Sequence, residues 1–513
     1  MSHREYPAVG REKTFFGHPR GLAVLFGTEM WERFSFYGLQ GILLTFLTAS
    51  VLENGLGLDD TVAVPIASLY SGAVYLTSLP GGWLADRVLG ARRAVLIGGI
   101  IIMCGHISMA IPVSGAGLVF FGLFLVVLGS GLLKPNISVM VGRLYEGDSD
   151  ARRDAGFSVF YMGINLGGFL GILVTPYLAG SDRWHLGFGA AAVGMAIGLL
   201  WYVRGWSRLT NTGVGPSRPL ADTERGKVVR IIVIALVGAG VAIAIWAATG
   251  TLTLSTVPTV VTILSIVAAI WYFVYIFGQA KDVTAAEKAG LRAYVGLFCA
   301  SVVFWMLYLQ MGSILTAFAS NSVDLDSWGF HLPAGGVQNL NSIFILIFSP
   351  IFGAIWLKTG QGFGTAYKFA VGVGLTGLSW VFLGWLQGRA DSGVLVALGW
   401  MVVVYLLLTW GELCVSPVGL SVTTQLAPSA LKGQLMGVWF LGPAVGTPLG
   451  GQAFAFLVPR VGEQAFFYIL AGLAIATAVV LALFSPALHR LMAQGGHGPN
   501  ATLETPPEPE YRP

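Results

Sequence analysis

Residues Gly81 to Val95 read GGWLADRVLGARRAV, between an apolar run at 62–85 and another at 94–112. Runs of about 20 apolar residues are long enough to cross ~30 Å of hydrocarbon as helices. The short link carrying Arg87, Arg92 and Arg93 is then a tight basic loop on one face of a membrane. A second stretch, GAIWLKTGQGFGTAYKFAV from Gly353 to Val371, repeats the order: Trp-Leu, then basic residues and glycine, then another apolar run. The chain therefore reads as one arrangement of spans built twice.

Composition agrees. Of 513 residues, 55% are hydrophobic, 12% aromatic and only 11% charged, with a mean hydropathy of +0.75. Soluble domains carry roughly 25% charged residues, so this is a polytopic membrane protein. Spans are expected near 21–50, 62–85, 94–112, 116–141, 157–179 and 186–203, then 229–249 and 256–278, then 291–319, 337–357, 366–387, 393–421, 433–458 and 465–485. That makes fourteen, in the order six, two and six. The expected division is a cytoplasmic N-terminal segment (1–20), a first six-helix bundle (21–205), a linker with two extra transmembrane helices (206–290), a second six-helix bundle (291–487) and a disordered cytoplasmic tail (488–513).

Basic residues test the topology. With the N-terminus in the cytoplasm, Arg33 and Lys134 lie well inside spans, and only Arg183, Arg389 and Arg460 fall outside the cell. Every other Lys and Arg falls on the cytoplasmic side, as the positive-inside rule requires. The first twenty residues lack a short apolar core with a cleavage site and read as a cytoplasmic lead-in. Cys104, Cys299 and Cys414 lie in apolar runs and read as packing residues, with no disulfide or metal cluster.

Five charged side chains lie well inside spans: Glu29, Glu32, Arg33, Lys134 and Glu412. Each costs roughly 2.5–3.5 kcal/mol at the centre of a bilayer, so they face protein or a wet cavity. Glu29 and Arg33 are i,i+4 neighbours, with Glu32 beside them. Lys134 and Glu412 occupy the fourth span of each half and are expected to face one another across a cavity. Pro135 and Pro417 are placed where a helix break would free carbonyls, or where the helix merely kinks. His106, without a partner in sequence, reads as a satisfied core histidine. Gly372 to Gly377, GVGLTG, fits a dinucleotide pattern but follows no strand and reads as helix packing.

The loop with Gly82, Asp86, Arg87, Arg92 and Arg93 resembles the cytoplasmic signature of the major facilitator superfamily. Its fold is all-α: an integral membrane protein of two six-helix bundles, here with a two-helix insert and 14 transmembrane helices. More specifically, the chain is identified as a member of the proton-dependent oligopeptide transporter (POT/PTR) family. The resemblance rests on the first-span signature Glu29, Glu32, Arg33, Phe34, Tyr37 and Gly38, on FYMGINLGGFLG (Phe160 to Gly171), on GELCVSPVGL (Gly411 to Leu420) and on GLLKPN.

The resemblance implies a proton-coupled symporter importing di- and tripeptides by alternating access, with no cofactor beyond the proton gradient. It implies proton coupling at Glu29, Glu32, Arg33 and Glu412. Arg33 and Lys134 would attract the peptide carboxylate, and Tyr37, Tyr75 and Asn165 would bond its backbone. Asn341 and Glu412 would hold its amino end, while Trp305 and Trp439 would wall the side-chain pockets. The implied partners are peptide, protons and the lipid bilayer, without nucleic acid, and the implied state is a monomer in a bacterial inner membrane with both termini cytoplasmic. Two departures concern the outer gate: Gln40 stands where the family usually has arginine, and Leu309 where it usually has an acid. Ser342 and Pro443 depart too, in positions that bear on side-chain preference. Retention of Lys134, Asn165 and Glu412 favours peptides over nitrate, an amino-acid conjugate or a drug. An intramembrane enzyme would need a His-Glu-x-x-His helix or a Gly-x-Ser-x-Gly serine in a sensible place, and none is there.

Overall fold

In hydrocarbon every backbone N–H and C=O must be satisfied within its own segment, so the apolar runs become helices. The computed structural model describes residues 15–113, 115–209, 212–279, 284–326, 329–359, 364–426 and 432–492. Its helices are α1 (Arg20–Thr48), α2 (Asp60–Leu84), α3 (Ala91–Ala110), α4 (Gly117–Arg143), α5 (Asp150–Ala179), α6 (Trp184–Arg204), α7 (Asp222–Ala248), α8 (Thr256–Gln279), α9 (Ala285–Tyr308), α10 (Ile314–Ser322), α11 (Asn339–Thr359), α12 (Thr365–Asp391), α13 (Gly399–Leu426), α14 (Lys432–Val461) and α15 (Glu463–Met492). Among the described residues, 13 helices are long and apolar enough to cross a membrane. The fourteenth expected span, α1, has 29 residues and ample length, but its charges set it apart. The expected tail from 493 onward lies outside the described residues.

Two expectations are corrected and one alternative is decided. The span expected at 291–319 is broken: α9 passes into a tight turn at Leu309–Gly312, and α10 begins after Ser313. Of the two readings open for Pro135 and Pro417, a helix break is not found: α4 and α13 run unbroken through both. Cys414 is buried as expected, whereas Cys104 and Cys299 are exposed. A two-residue parallel pairing of Val323–Asp324 with Val396–Ala397, unforeseen from sequence, joins the turn after α10 to the start of α13.

The chain forms two compact units. Unit 1 contains residues up to 39, 80–178 and 185–232; unit 2 contains residues 40–79, 179–184 and 233 onward. Within unit 1, glycines let α3 and α4 touch backbone to backbone. A Cβ on Gly98 would lie 2.6 Å from the Gly129 carbonyl oxygen, and one on Gly105 would lie 2.7 Å from that of Gly122. Close approach through small residues is how helices associate where lipid offers no hydrophobic drive. In unit 2 the same device joins α12 to α13, where a Cβ on Gly372 would lie 2.8 Å from Gly411 O. The GVGLTG stretch is thus helix packing.

The stretch at Gly81–Val95 acts as more than a topological marker. After a wide turn at Ala85–Leu89 the chain reverses at Gly90, whose φ of 79° suits glycine. The turn then grips the basic connection that follows α6. Ser217 donates to Asp86 at 2.6 Å, Arg218 N–H to Asp86 O at 2.9 Å, and Arg87 pairs with Glu224 at 3.1 Å. The Arg92 guanidinium lies 4.0 Å over the Trp206 ring and donates to the Trp206 carbonyl.

The insert is asymmetric. No residue of α7 is buried, whereas α8 buries Pro258, Thr262, Ser265, Ala269 and Ile276 in one stripe. Its Thr259 donates to Gln452 of α14 at 2.9 Å.

Candidate functional site

In unit 1 the charges of α1 are 3%, 0% and 2% exposed at Glu29, Glu32 and Arg33. One atom serves both acids: Arg33 Nε lies 3.2 Å from Glu29 Oε1 and 2.5 Å from Glu32 Oε2. Glu29 Oε2, Glu32 Oε1 and Arg33 Nη2 are buried without a hydrogen-bond partner among the described residues. The guanidinium sits 4.9 Å from the Phe36 ring centre and 5.9 Å from that of Tyr37. Half-buried Lys134 interacts electrostatically with Arg33, Glu32 and Glu29. The cluster is therefore two acids and two bases, neutral when all are ionised, with acceptor and donor capacity unspent.

What holds α1 in place is the fifth-span motif, whose glycines meet the first-span signature. A Cβ on Gly167 would lie 2.0 Å from Met30 O and 3.0 Å from Arg33 Cβ, and one on Gly171 would lie 2.3 Å from Phe34 O. Thr175 donates to Gly38 O at 2.7 Å, and Gly168 faces the Tyr37 ring. The two motifs are two sides of one helix crossing. Asn165, on the same α5, is 7% exposed and donates to Tyr161 O at 3.0 Å. Gly167→Ala is expected to lower thermal stability by about 1–3 kcal/mol, because the new methyl meets rigid backbone. Unchanged melting of the purified variant would contradict this contact.

In unit 2, Glu412 accepts hydrogen bonds from the Tyr308 hydroxyl and, at 3.4 Å, from Asn341 Nδ2. Asn341 also donates to Thr409 Oγ1 at 3.0 Å. Tyr308 stands edge-on to Trp305 at 5.7 Å, and Trp305 stands edge-on to Trp439 at 6.3 Å. Four expected residues, Trp305, Asn341, Glu412 and Trp439, thus form one continuous cluster. Gly419, within GELCVSPVGL, leaves room for the Trp439 ring: a Cβ there would fall 1.9 Å from Cη2. Tyr308 and Thr409 were not anticipated; the nearest signal for Tyr308 is its place three residues after Trp305. Tyr75 also belongs to unit 2, stacked on Phe440 at 6.5 Å.

At the two gate departures the structure puts neutral contacts. Gln40 is 6% exposed and donates to Ser71 at 3.4 Å. It fills the space beside Gly312, where a Cβ would lie 2.4 Å from Gln40 Cγ. Next to Leu309, Gln310 accepts from Ser68 at 2.8 Å and from Ser313 at 2.7 Å, and donates to Thr447 O at 2.9 Å. Within unit 2, then, hydrogen bonds join α2, the turn after α9 and α14 without any formal charge.

His106 is wholly buried, and neither ring nitrogen has a hydrogen-bond partner among the described residues. The expectation of a satisfied core histidine holds for burial and fails for satisfaction.

Comparison with known proteins completes the identification. The POT family profile (PTR2) matches residues 92–463. The chain is 42% identical over 489 residues to an uncharacterized transporter, YclF, of Bacillus subtilis, covering 94% of this chain and 96% of that one. It is 39% identical over 493 residues to a di-/tripeptide transporter of Lactococcus lactis subsp. lactis, covering 94% and 98%. The crystal structure of a peptide transporter POT in complex with sulfate superposes with a TM-score of 0.89 at 43% identity, over 94% of this chain and 97% of that one. The apolar helices, the Glu29–Arg33–Glu32 cluster and these likenesses lead to one conclusion: this multi-pass membrane protein, with a fold of the major facilitator type, belongs to the POT family.

Proposed function

We propose that the protein is a proton-coupled symporter that imports di- and tripeptides by alternating access. The observation that carries this reading is the buried Arg33 shared by Glu29 and Glu32. A proton arriving on either acid leaves Arg33 one counterion and frees part of its hydrogen-bonding capacity for an incoming carboxylate. The names of the Lactococcus relative and of the crystallised peptide transporter support peptide as the solute.

A short peptide is a zwitterion, and desolvating both ends is costly unless both are paired. Arg33 and Lys134 take the carboxylate end, and Glu412 with Asn341 takes the amino end. Tyr37, Tyr75 and Asn165 bond the backbone, and Trp305 and Trp439 wall the side chains. Tyr308 holds Glu412 when no peptide is present, so ligand and tyrosine compete for the same carboxylate. Protons moving down their gradient supply the work: one charge crossing 100 mV is worth about 2.3 kcal/mol, roughly fifty-fold accumulation. No cofactor enters the scheme. The protein acts as a monomer in a bacterial inner membrane, with both termini in the cytoplasm.

The test is uptake of labelled di-alanine into proteoliposomes under an imposed pH gradient. Accumulation that a tripeptide suppresses and nitrate does not is the expected result. Failure to accumulate di-alanine, with nitrate or another solute taken up instead, would reassign the substrate.

A further inference from the structure

Between α9 and α15 runs a groove of about 530 Å³, open to the surroundings. That is the size of pockets that bury most of a small ligand. On α9 its lining residues Gly296, Cys299 and Val303 recur at helical spacing, and Arg292 is one turn further along the same face. On α15 the lining includes Phe484 and Leu488, and a Cβ on Gly296 would lie 3.8 Å from Leu488 Cδ2. The one hydroxyl in the lining, Thr477, donates to Leu473 O of its own helix at 2.8 Å. The groove itself therefore asks for an apolar occupant.

Its end asks for an anion. Arg292 is exposed and makes no ion pair or hydrogen bond among the described residues. Arg490, two residues beyond Leu488, is exposed and donates to Pro486 O of its own helix at 3.3 Å. From the Gly296–Leu488 contact, Arg292 lies four residues toward the start of α9 and Arg490 two residues toward the end of α15, so both leave the groove in the same direction. The nearby acid Glu287 is engaged by the Thr284 backbone N–H and hydroxyl, each at 3.0 Å. Guanidinium groups bind phosphate oxygens in pairs, and a basic cluster at the end of a membrane helix attracts anionic headgroups.

We propose that this groove is a binding site for an anionic phospholipid, with one acyl chain along Gly296, Cys299 and Phe484 and the headgroup phosphate held by Arg292 and Arg490. Nothing in the site belongs to the peptide-binding clusters, so it stands or falls separately from the transport reading.

The test places a bimane label at Leu483→Cys, which is 73% exposed and borders the groove, in a Cys104→Ser, Cys299→Ala background. The protein is reconstituted in phosphatidylcholine with increasing brominated phosphatidylglycerol or, in a parallel series, brominated phosphatidylcholine. The anionic lipid is expected to half-quench at about five-fold lower mole fraction, a preference that high salt reduces. Arg292→Gln/Arg490→Gln is expected to equalise the two lipids, and Arg292→Lys/Arg490→Lys to restore part of the difference. Equal quenching in the labelled protein with both arginines in place would mean ordinary annular lipid only and would overturn the proposal. So would a preference that survives loss of both arginines.

Discussion

Glu32→Gln, and separately Glu29→Gln, are expected to abolish peptide uptake driven by a pH gradient while peptide counterflow persists. The two carboxylates share Arg33 Nε, so removing one acid leaves the guanidinium with the other. Stripping a buried ion of every partner costs about 3–5 kcal/mol, and a single Gln substitution stops short of that. Either variant is therefore expected to fold, which size-exclusion behaviour in detergent will check. The proton is a different matter. A glutamine cannot bind a proton on one side and release it on the other, so a cluster locked in its neutral-acid form carries peptide without carrying charge. At 100 mV the loss amounts to the whole accumulation of about fifty-fold, leaving equilibration alone. Full gradient-driven uptake in both variants would remove the coupling role from this cluster.

The second large effect is at Glu412. Glu412→Ala is expected to weaken binding of peptides with a free amino terminus by about ten- to a hundred-fold, the scale of one or two charged hydrogen bonds. Lys134→Ala is expected to act similarly on the carboxylate end, because Lys134 shares the field of Arg33 and both acids. In each case N-acetylated, amidated di-alanine serves as the control. It is expected to compete poorly with free di-alanine in the unsubstituted protein and to lose little further affinity in either variant. If blocked and free peptides compete equally in the unsubstituted protein, recognition of terminal charges is wrong. Tyr308→Phe sharpens the result for Glu412. It removes the hydroxyl that competes for the carboxylate in the resting cluster but keeps the charge, so free-amino peptides are expected to keep or gain affinity, opposite to Glu412→Ala.

Much of this was legible in the chain because the controlling forces are local. A span announces itself by length and composition, since lipid leaves the backbone no alternative to the helix. The ion pairs of α1 follow from spacing, because residues three and four apart share a helical face. The alternatives rejected from sequence were also rejected locally: GVGLTG has no strand before it, and its first glycine turns out to press against Gly411. Proline was the ambiguous local signal: Pro135 and Pro417 were compatible with a break or a plain kink, and α4 and α13 remain continuous.

The rest depends on contacts between residues far apart in the chain, and no periodicity reports those. Tyr308 reaches Glu412 across 104 positions, and Gln310 reaches Ser68 across 242. Gln40 and Leu309 could be seen to lack charge, but not that Gln40 donates to Ser71 or that Gln310, beside Leu309, joins Ser68 and Ser313. His106 showed the same limit in reverse: its apolar surroundings foretold burial, whereas only the packed fold shows both ring nitrogens without hydrogen-bond partners among the described residues.

By itself the sequence determined the spans and the Glu29, Glu32 and Arg33 cluster of α1, each of which depends on composition or on spacing within a single helix, and it carried the motifs, spread over several spans, on which the family resemblance rests. Tertiary structure alone decided the break after α9, the glycine seam that seats α1 against α5, the tyrosine on Glu412 and the arginine-ended groove beside α15. Those arise where two segments meet, and a meeting is a property of neither segment's own residues.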